Sequence, residues 1–404
     1  MAGSITGTLL ELDVTGIAHG GVAVARHEGR VVFVADAIPG ERVVARVRPD
    51  SKERYWRAET VRVLEPSPDR VAHVWPEAAV DRDPAERAGG AEFGHIALAR
   101  QRALKAEVLA DALRRMAGLD LPIEVEPAPG DEERGGLGWR TRVRLHVDDA
   151  GVPGPFAARS HRVVPVASLP LATDAIARSG VLSERFPGEE HVDVIDSGGE
   201  ARLVVGRQRA TTLVERVGGR VFRVDDTGFW QVHHQAPGVL TEAVRAAIDP
   251  ARFDAHAANL DLYGGVGLFA AAIADVGGIG TRVETVESDA AASAHAAENL
   301  ASLPNAVATR ARVDRWVRDA VRSGARTGAT IVLDPPRSGA GREVVEGIAR
   351  LGAAQLVYVA CDPVALARDA RTLSDAGYRL ERVRAFDLFP HTHHVEAVAT
   401  FLPV

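Results

Sequence analysis

The sequence predicts an α/β protein in three parts: an OB-like β-barrel, a central strand-rich α+β domain and a Rossmann-like C-terminal domain. A chain of 404 residues is longer than one hydrophobic core usually supports. Short β-type segments fill residues 1–65, strand patterns recur through residues 66–228, and strands alternate with helices through residues 229–404. We therefore predict domains with these three ranges.

The barrel prediction rests on β-type stretches between Ile5 and Leu64, separated by Gly and Asp turns and by the Pro39-Gly40 break. Short strands at this spacing are typical of a five-stranded OB barrel, which often binds single-stranded nucleic acid. Six basic and aromatic residues form a cluster of the kind that such a surface uses: Arg48, Lys52, Arg54, Tyr55, Trp56 and Arg57. A solvated strand edge is the alternative interpretation of this cluster.

An irregular connector with several prolines follows the barrel, from Pro66 to Pro84. Apolar positions that recur between Ile96 and Leu113 then predict a helix. Strand-like segments such as RTRVRLHVDDAG and RVFRVDD continue to about residue 225. This central pattern does not indicate a function.

Composition excludes several classes of protein. A single cysteine rules out an internal disulfide, a zinc ribbon and a cysteine-ligated iron–sulfur cluster. The net charge of -7 argues against indiscriminate nucleic-acid binding, although 48 Lys and Arg residues suffice for a basic face. We find no signal peptide and no apolar run near the roughly 20 residues that span a bilayer. We therefore expect a cytoplasmic protein without membrane contact, and a monomer by default.

The first motif of the C-terminal domain is DLYGGVGLF, residues 261–269, where an apolar strand enters a Gly-rich turn and then a helix. Glycines let the backbone approach a ligand at a helix N-terminus. The turn lacks the G-x-G-x-x-G spacing of a dinucleotide site. Glu287 ends the next strand, where a carboxylate can accept hydrogen bonds from ribose hydroxyls. Together they predict a nucleoside site; a plain turn and a surface charge are the alternatives.

Asp334 begins the second motif, an Asp-Pro-Pro-Arg turn at the end of another strand. The prolines fix the backbone and remove donors, so that the carboxylate and nearby carbonyls face the crevice where ligands of such sheets bind. A rigid turn of this kind suits methyl transfer to a base. A simple strand-to-helix turn is the alternative.

Cys361 and Glu396 lie at the two remaining strand termini. Cys361 follows the apolar strand QLVYVA, where a nucleophile belongs, although a lone cysteine is commonly a small core residue. Glu396 enters the last strand after FPHTHHV. Three histidines in that segment suggest zinc, but no fitting partner cluster is evident in the sequence, so we predict no metal site.

Taken in order, DLYGGVG, LDPPRSG, VACDP with LARD, and FPHTHHVE resemble the signature of the uridine-C5 RNA methyltransferase family. The N-terminal barrel resembles the TRAM RNA-binding domain, and FWQVHHQA resembles the Phe-x-Gln-x-Asn segment of that family. The resemblance covers nearly the whole chain. It implies a class I methyltransferase domain that uses S-adenosylmethionine.

The resemblance also implies roles for individual residues. Seven residues stand at positions that bind the cofactor: Gln231, Tyr263, Gly264, Gly265, Gly267, Glu287 and Asp334. Cys361 stands at the position of the nucleophile and Glu396 at that of the proton acceptor. The implied reaction methylates C5 of a uridine through an adduct of Cys361 with C6, after which Glu396 removes the C5 proton. Ribosomal RNA is favoured as the substrate, because the tRNA-modifying branch can lack the barrel, and tRNA is possible.

The chain departs from the family pattern in two places. Many TRAM-containing relatives hold a four-iron four-sulfur cluster on connector cysteines, where this chain has Trp75-Pro76 and Gly89-Gly90-Ala91, so we expect no cluster. His233 and His234 replace small polar residues after Gln231, and Leu268 replaces an Asn that often contacts the cofactor. We expect a cofactor pocket that differs in detail.

Three other functions compete with uridine methylation. Cytosine-C5 methylation uses the same thiolate chemistry. Methylation of a base nitrogen uses an acidic-Pro-Pro turn but needs no cysteine. A catalytically idle RNA-binding protein would keep the fold alone.

Overall fold

The computed structural model describes residues 5–206, 208–324 and 327–404. Over these residues the chain forms two compact units. The first lies within Met1–Val108, Pro129–Gln208 and Phe389–His394. The second lies within Leu109–Ala128, Arg209–Leu388 and Val395–Val404. The three predicted domain ranges stay predictions.

The regular elements of the described chain are numbered in chain order. The strands are β1 (Leu9–Ala18), β2 (Val22–His27), β3 (Arg30–Ala35), β4 (Arg42–Val47), β5 (Tyr55–Glu65), β6 (Val125–Pro127), β7 (Arg142–Val147), β8 (Pro153–Gly154), β9 (His191–Ser197), β10 (Glu200–Val205), β11 (Thr212–Val217), β12 (Arg220–Asp225), β13 (Asn259–Leu262), β14 (Val283–Glu287), β15 (Ala306–Arg310), β16 (Thr330–Leu333), β17 (Gln355–Ala360), β18 (Tyr378–Asp387) and β19 (Glu396–Pro403). The helices are α1 (Leu98–Ala112), α2 (Asp174–Ala177), α3 (Ala236–Ala247), α4 (Leu268–Gly277), α5 (Ala290–Asn299), α6 (Val313–Ser323), α7 (Arg342–Arg350) and α8 (Pro363–Asp375).

Strands β1 to β5 close into a barrel in the order β1-β2-β3-β5-β4. Buried and exposed residues alternate along β1 and β5, because successive side chains of a strand point to opposite faces. Small and branched apolar side chains such as Leu12 and Val32 fill the interior. The five-stranded OB-like barrel is therefore confirmed.

The predicted basic and aromatic cluster is wrong in one of its members. Trp56 lies in the barrel core with 9% of its surface exposed, so its indole offers no stacking surface to an RNA base outside. The strand alternation of β5 turns this residue inward. Arg48 and Arg57 both bind the Asp50 carboxylate, at 2.9 and 2.8 Å, which leaves each with a partner inside the protein.

A buried carboxylate joins the barrel to the connector within the first unit. Glu41 is 1% exposed and accepts hydrogen bonds from the Ile38 N–H at 2.9 Å and from the Arg70 guanidinium at 2.6 and 2.8 Å. Burial of a charge is tolerated when it is paired and hydrogen-bonded in this way. The predicted helix follows as α1, and β10-β9-β7-β8 form the second sheet of this unit.

The second unit is built on an eight-stranded sheet in the order β15-β14-β13-β16-β17-β19-β18-β6. Neighbours from β15 to β17 are parallel, as predicted from the alternation of strands and helices. β19, however, is antiparallel to both β17 and β18, so the sheet is mixed rather than parallel throughout. The reason is that no crossover helix separates β18 from β19, and a parallel pair requires one. β11 and β12 form a separate antiparallel hairpin.

This sheet brings the predicted functional segments together at one end of its strands. Every residue of β13, β16 and β17 is buried, as expected for strands covered on both faces. The carboxyl ends of these parallel strands meet at the crevice where open α/β sheets bind ligands. β19 starts at that same edge because it runs in the opposite direction. Among the described residues, no helix is both long and apolar enough to cross a lipid bilayer.

Candidate active site

A Gly-rich turn joins β13 to α4 in a conformation that few residues other than glycine adopt. Gly265 and Gly267 have φ values of 53° and 90°, and Tyr263 also has a positive φ of 62°. Gly264 is required for a different reason, because an added Cβ would lie 1.9 Å from Thr285 Oγ1 and 2.6 Å from Asp261 Oδ2. The turn therefore requires glycine at positions 264, 265 and 267.

Glu287 lies in contact with this turn, as the sequence predicts. Its carboxylate accepts a hydrogen bond from the Gly265 N–H at 3.1 Å and another from the Asp289 N–H at 2.7 Å. The half-buried carboxylate thus fixes the turn to the end of β14 and to the start of α5. Each carboxylate oxygen has two lone pairs, so Glu287 keeps acceptor capacity for a ligand hydroxyl.

Asp261 is a buried acidic residue beneath the turn that the sequence reasoning did not single out. It is fully buried, and its Oδ2 accepts from the Ala270 N–H at 2.9 Å and from the Thr285 hydroxyl at 3.1 Å. Its Oδ1 has no hydrogen-bond partner among the residues that the structure describes. Burial raises the pKa of Asp261 to about 7. One acidic residue inside an apolar strand was the sequence signal for it.

The strand register brings Cys361 and Glu396 together. Ala360 of β17 pairs with Ala397 of β19 in an antiparallel ladder, so the next position sets Cys361 opposite Glu396. Glu396 is 5% exposed, whereas Cys361 is partly exposed as a free thiol. A thiol and a carboxyl group therefore share the end of the sheet.

Electrostatics connect this pair to Asp334. Burial is the main cause that raises the pKa of the Cys361 thiol to about 12; Glu396 and Asp334 contribute to the increase, and Arg337 opposes it. Burial likewise raises the pKa of Glu396 well above its usual range, with Asp334 adding to the effect and Arg337 opposing it. Burial, with a smaller effect of Asp261, raises the pKa of Asp334 to about 7. Asp334 therefore acts on both Cys361 and Glu396, and it is itself affected by Asp261 under the Gly-rich turn.

Helix α8 holds the loop that follows Asp334. Asp369 is fully buried, and its Oδ2 accepts hydrogen bonds from the Ala340 N–H at 2.8 Å, the Gly341 N–H at 3.3 Å and the Tyr358 hydroxyl at 2.8 Å. One carboxylate thus satisfies two backbone donors of the loop before α7 begins. The LARD segment consequently has a structural role that its sequence alone does not show.

Arg368 adds a second attachment of the same loop. Its guanidinium donates to the Ser338 carbonyl at 2.6 Å. Gly339 has a φ of 79°, and an added Cβ would lie 2.4 Å from Arg368 Nη2. The loop is therefore held closely against α8.

Gln231 and the two histidines after it precede α3. His233 is fully buried, and its Nδ1 accepts from the Gln235 N–H at 3.0 Å, which helps α3 to begin. His234 stacks on it with ring centroids 4.9 Å apart. Leu268 is 7% exposed and belongs to the core. In the described chain, no hydrogen bond joins Gln231 to the Gly-rich turn.

The fold and the site define the class of protein. Three features together are those of an S-adenosylmethionine-dependent methyltransferase. They are a Gly-rich turn after β13, an acidic residue at the end of β14 and an Asp-Pro-Pro turn after β16. Residues 191–402 match the model of the tRNA (uracil-5-)-methyltransferase family, and residues 4–61 match the TRAM domain. The chain belongs to this family of RNA uracil-5-methyltransferases and carries an N-terminal TRAM domain.

Whole-chain comparisons agree with this assignment. An uncharacterized RNA methyltransferase of Streptomyces avermitilis is 40% identical over 439 residues, covering 97% of this chain and 98% of its own. One from Bifidobacterium longum is 38% identical over 418 residues, covering 97% and 96%. The Pyrococcus abyssi tRNA (uracil-54, C5)-methyltransferase in complex with S-adenosyl-L-homocysteine has a TM-score of 0.71 at 19% identity, over 97% of this chain and 100% of that one. The predicted family and fold class are confirmed.

Substitution of Gly264 by alanine tests the Gly-rich turn. The new methyl group would overlap Thr285 Oγ1 and displace the turn, so we expect binding of S-adenosylhomocysteine to weaken by about 1–3 kcal/mol. Isothermal titration calorimetry measures this affinity. Gly238→Ala is the matched control, because a Cβ there meets nothing within 4 Å. Equal affinities of the two variants would contradict the close packing at Gly264.

Substitution of Asp369 by asparagine tests the role of α8 in holding the loop. The single oxygen of the amide cannot serve both the three donors at Oδ2 and the Arg368 guanidinium, which donates to Oδ1 at 3.1 Å, so the loop should lose its fixed position. We expect methyl transfer to slow by about 10- to 100-fold, since small misplacements of a site group cost that much. Asp375→Asn, at an exposed position of the same helix, is the control. Similar rates for both variants, with similar thermal stability, would refute this role.

Proposed function

We propose that the enzyme methylates C5 of a uridine in RNA through a covalent bond between Cys361 Sγ and C6 of the base. The observation that carries the proposal is the β17–β19 register, which sets the thiol opposite the Glu396 carboxyl at the ligand-binding edge of the sheet. Asp334 lies close enough to act electrostatically on both groups. A nucleophile, a base and a polar turn are thus collected at one site.

Uracil requires this chemistry because its C5 is a poor nucleophile. The Cys361 thiol first loses its proton to solvent, and addition of the resulting thiolate forms the Sγ–C6 bond and leaves an enolate. When bound, S-adenosylmethionine supplies the methyl group that C5 takes. Glu396 then accepts the proton from C5, and the electrons of that C–H bond restore the C5–C6 double bond as the Sγ–C6 bond breaks. The thiolate is regenerated, and the product is 5-methyluridine.

The buried surroundings of Glu396 suit its proposed task. A carboxylate whose pKa is raised is a stronger base than one in water, and proton transfer benefits from a pKa nearer the working pH. The same burial holds the resting thiol in its neutral form. Arg337 is the cationic residue that favours the anionic forms of both groups.

The residues around the Gly-rich turn fit a nucleoside cofactor. Gly264 packs so closely against Thr285 and Asp261 that a Cβ would clash with both, and this contact holds the turn at the end of β13. We propose that the backbone of Gly265 and Gly267 approaches S-adenosylmethionine and that Glu287 accepts a hydrogen bond from its ribose. Three further residues complete the proposed cofactor site: Gln231, Tyr263 and Asp334.

The substrate RNA must present an unstacked uridine, because a base cannot reach the end of the sheet from within a duplex. We propose ribosomal RNA as the favoured substrate and tRNA as the alternative. The fold similarity to an enzyme named for tRNA extends over the whole chain, barrel included, so the TRAM domain does not exclude tRNA. The proposal keeps the expectations of a cytoplasmic monomer without an iron–sulfur cluster.

Transfer of labelled methyl from S-adenosylmethionine to purified tRNA and to unmodified ribosomal RNA tests the activity. We expect label in 5-methyluridine after nucleoside analysis, and Cys361→Ser should abolish it while leaving S-adenosylhomocysteine binding intact. Label in 5-methylcytidine or in a nitrogen-methylated base would favour the competing reactions. No label in either RNA, with the cofactor bound, would favour the idle RNA-binding protein.

The covalent step has its own readout. RNA containing 5-fluorouridine should trap the wild-type enzyme as a denaturation-resistant complex, because fluorine cannot leave as the proton does. Glu396→Gln should accumulate a methylated adduct with ordinary RNA. Trapping that persists in Cys361→Ser would overturn the assignment of the nucleophile.

The pH dependence of methyl transfer tests Arg337. Its positive charge lowers the pKa of Glu396 and Cys361, so Arg337→Gln should raise both. Activity requires the anionic forms and rises with pH as they appear, so its acidic limb should move to higher pH in the variant. Arg342→Gln is the control, because this exposed arginine pairs with Glu346. An unchanged limb in Arg337→Gln would contradict the predicted electrostatic effect.

A further inference from the structure

Glu92, His393 and His394 form a cluster in the first unit. Each offers one ligand atom, and these atoms all lie within 4.8 Å of one another. The Glu92 carboxylate contacts His393 Nδ1 and accepts from the His393 N–H at 3.2 Å. The two imidazole centroids are 4.1 Å apart. We propose that this cluster binds a divalent transition-metal ion and that zinc fits it best.

Hydrogen bonds hold the segment that carries the histidines in place. The His391 N–H donates to Gln101 Oε1 at 2.7 Å, and Gln101 Nε2 lies 3.0 Å from His391 Nδ1. Thr392 Oγ1 donates to the Phe389 carbonyl at 2.9 Å. These bonds fix the backbone on the N-terminal side of the two imidazoles. Ligands held in place before the ion arrives lose less conformational freedom on binding.

Backbone hydrogen bonds also hold the segment that carries Glu92. The neighbouring Phe93 is buried and donates its N–H to the His391 carbonyl at 2.9 Å, which joins the two ligand-bearing segments directly. The Gly94 N–H donates to the Ala91 carbonyl at 2.8 Å and closes the turn around Glu92. The carboxylate is therefore presented to the imidazoles from a fixed backbone.

A barrel turn packs against His393. Gly21 has a φ of 72°, and an added Cβ would lie 2.5 Å from His393 Cβ. The close approach of this backbone limits where the imidazole can move. Glycine at position 21 therefore has two roles: it allows the positive φ of the turn, and it leaves room for His393.

The cluster opens to a cavity. Glu92 and His393 are among the residues that line a space of about 500 Å³ in the first unit. Their side chains are 23% and 28% exposed, so an ion and its water can reach them. Three protein ligands beside an open cavity leave the fourth tetrahedral position of zinc for water.

The donor types select the class of ion. Two imidazoles and one carboxylate suit zinc and its first-row neighbours, whereas calcium and magnesium prefer oxygen alone and copper(I) prefers sulfur. An ion pair between Glu92 and His393 does not account for the second imidazole, that of His394. A zinc site with three protein ligands uses all three groups. The inference departs from the metal-free prediction because Glu92 is 301 positions from His393 and the sequence does not show their contact.

Zinc titration of the full-length, chelator-treated protein tests the site. We expect one ion per chain by elemental analysis after gel filtration. By calorimetry, the affinity for zinc should be at least about 100-fold lower in His393→Ala and in Glu92→Gln. Loss of a group that only supports a metal ligand already costs up to that much, and these residues are the proposed ligands themselves. His161→Ala, at an exposed position outside the cluster, should bind like the wild type. Absence of stoichiometric zinc, or equal affinity in all four proteins, would overturn the site.

Cobalt(II) provides an independent readout. The loaded wild type should show visible d–d absorption that Glu92→Gln weakens, and zinc should raise the melting temperature of the wild type more than that of the variant. Glu92→Gln retains the size of the side chain, so its circular dichroism should match the wild type and exclude misfolding. An unchanged cobalt spectrum in this correctly folded variant would also overturn the assignment.

Discussion

The site depends on three acidic side chains that are held away from water at one end of the sheet: Asp261 and Glu396 are buried, and Asp334 is half-buried. Asp261, Asp334 and Glu396 all have raised pKa values, chiefly because water is excluded from them. Burial of an unpaired carboxylate costs several kcal/mol, so such groups stay protonated or acquire a partner. The cationic Arg337 opposes the raised pKa of Glu396. The folded structure therefore keeps carboxyl groups with raised pKa values at this end of the sheet.

The surrounding segments serve to keep these groups in position. Glu287 fixes the Gly-rich turn through the Gly265 N–H, and Asp369 fixes the loop after Asp334 through two backbone N–H groups. Both are carboxylates that accept from backbone donors, and both hold loops at the carboxyl ends of strands. Rigid supports of this kind allow a loop to carry a functional group with little freedom. Glu287 and Asp369 thus each fix the position of a loop at this end of the sheet.

Prediction from sequence succeeded where the signal was local. The alternation of β13 to β17 with helices and the regular strands of the barrel were both recognisable from periodicity. The sequence pattern did not indicate that β19 runs antiparallel to its neighbours, since pairing direction depends on the connection and not on the composition of the strand. Trp56 was placed on the surface, whereas the pleat of β5 turns it into the core. Asp261 was missed because an acidic residue in an apolar strand shows its neighbours only after the sheet has formed.

By itself, the sequence determined which chemical groups are available and in which order along the chain: a Gly-rich turn, Glu287, Asp334, the single cysteine and Glu396. These follow from residue type and short-range pattern. Only the tertiary structure decided which of them meet. The antiparallel register set Cys361 opposite Glu396, and the packing of the first unit brought Glu92 to His393 and His394. The physical reason is that a contact between distant residues depends on strand register and packing of the whole chain, which local periodicity does not specify.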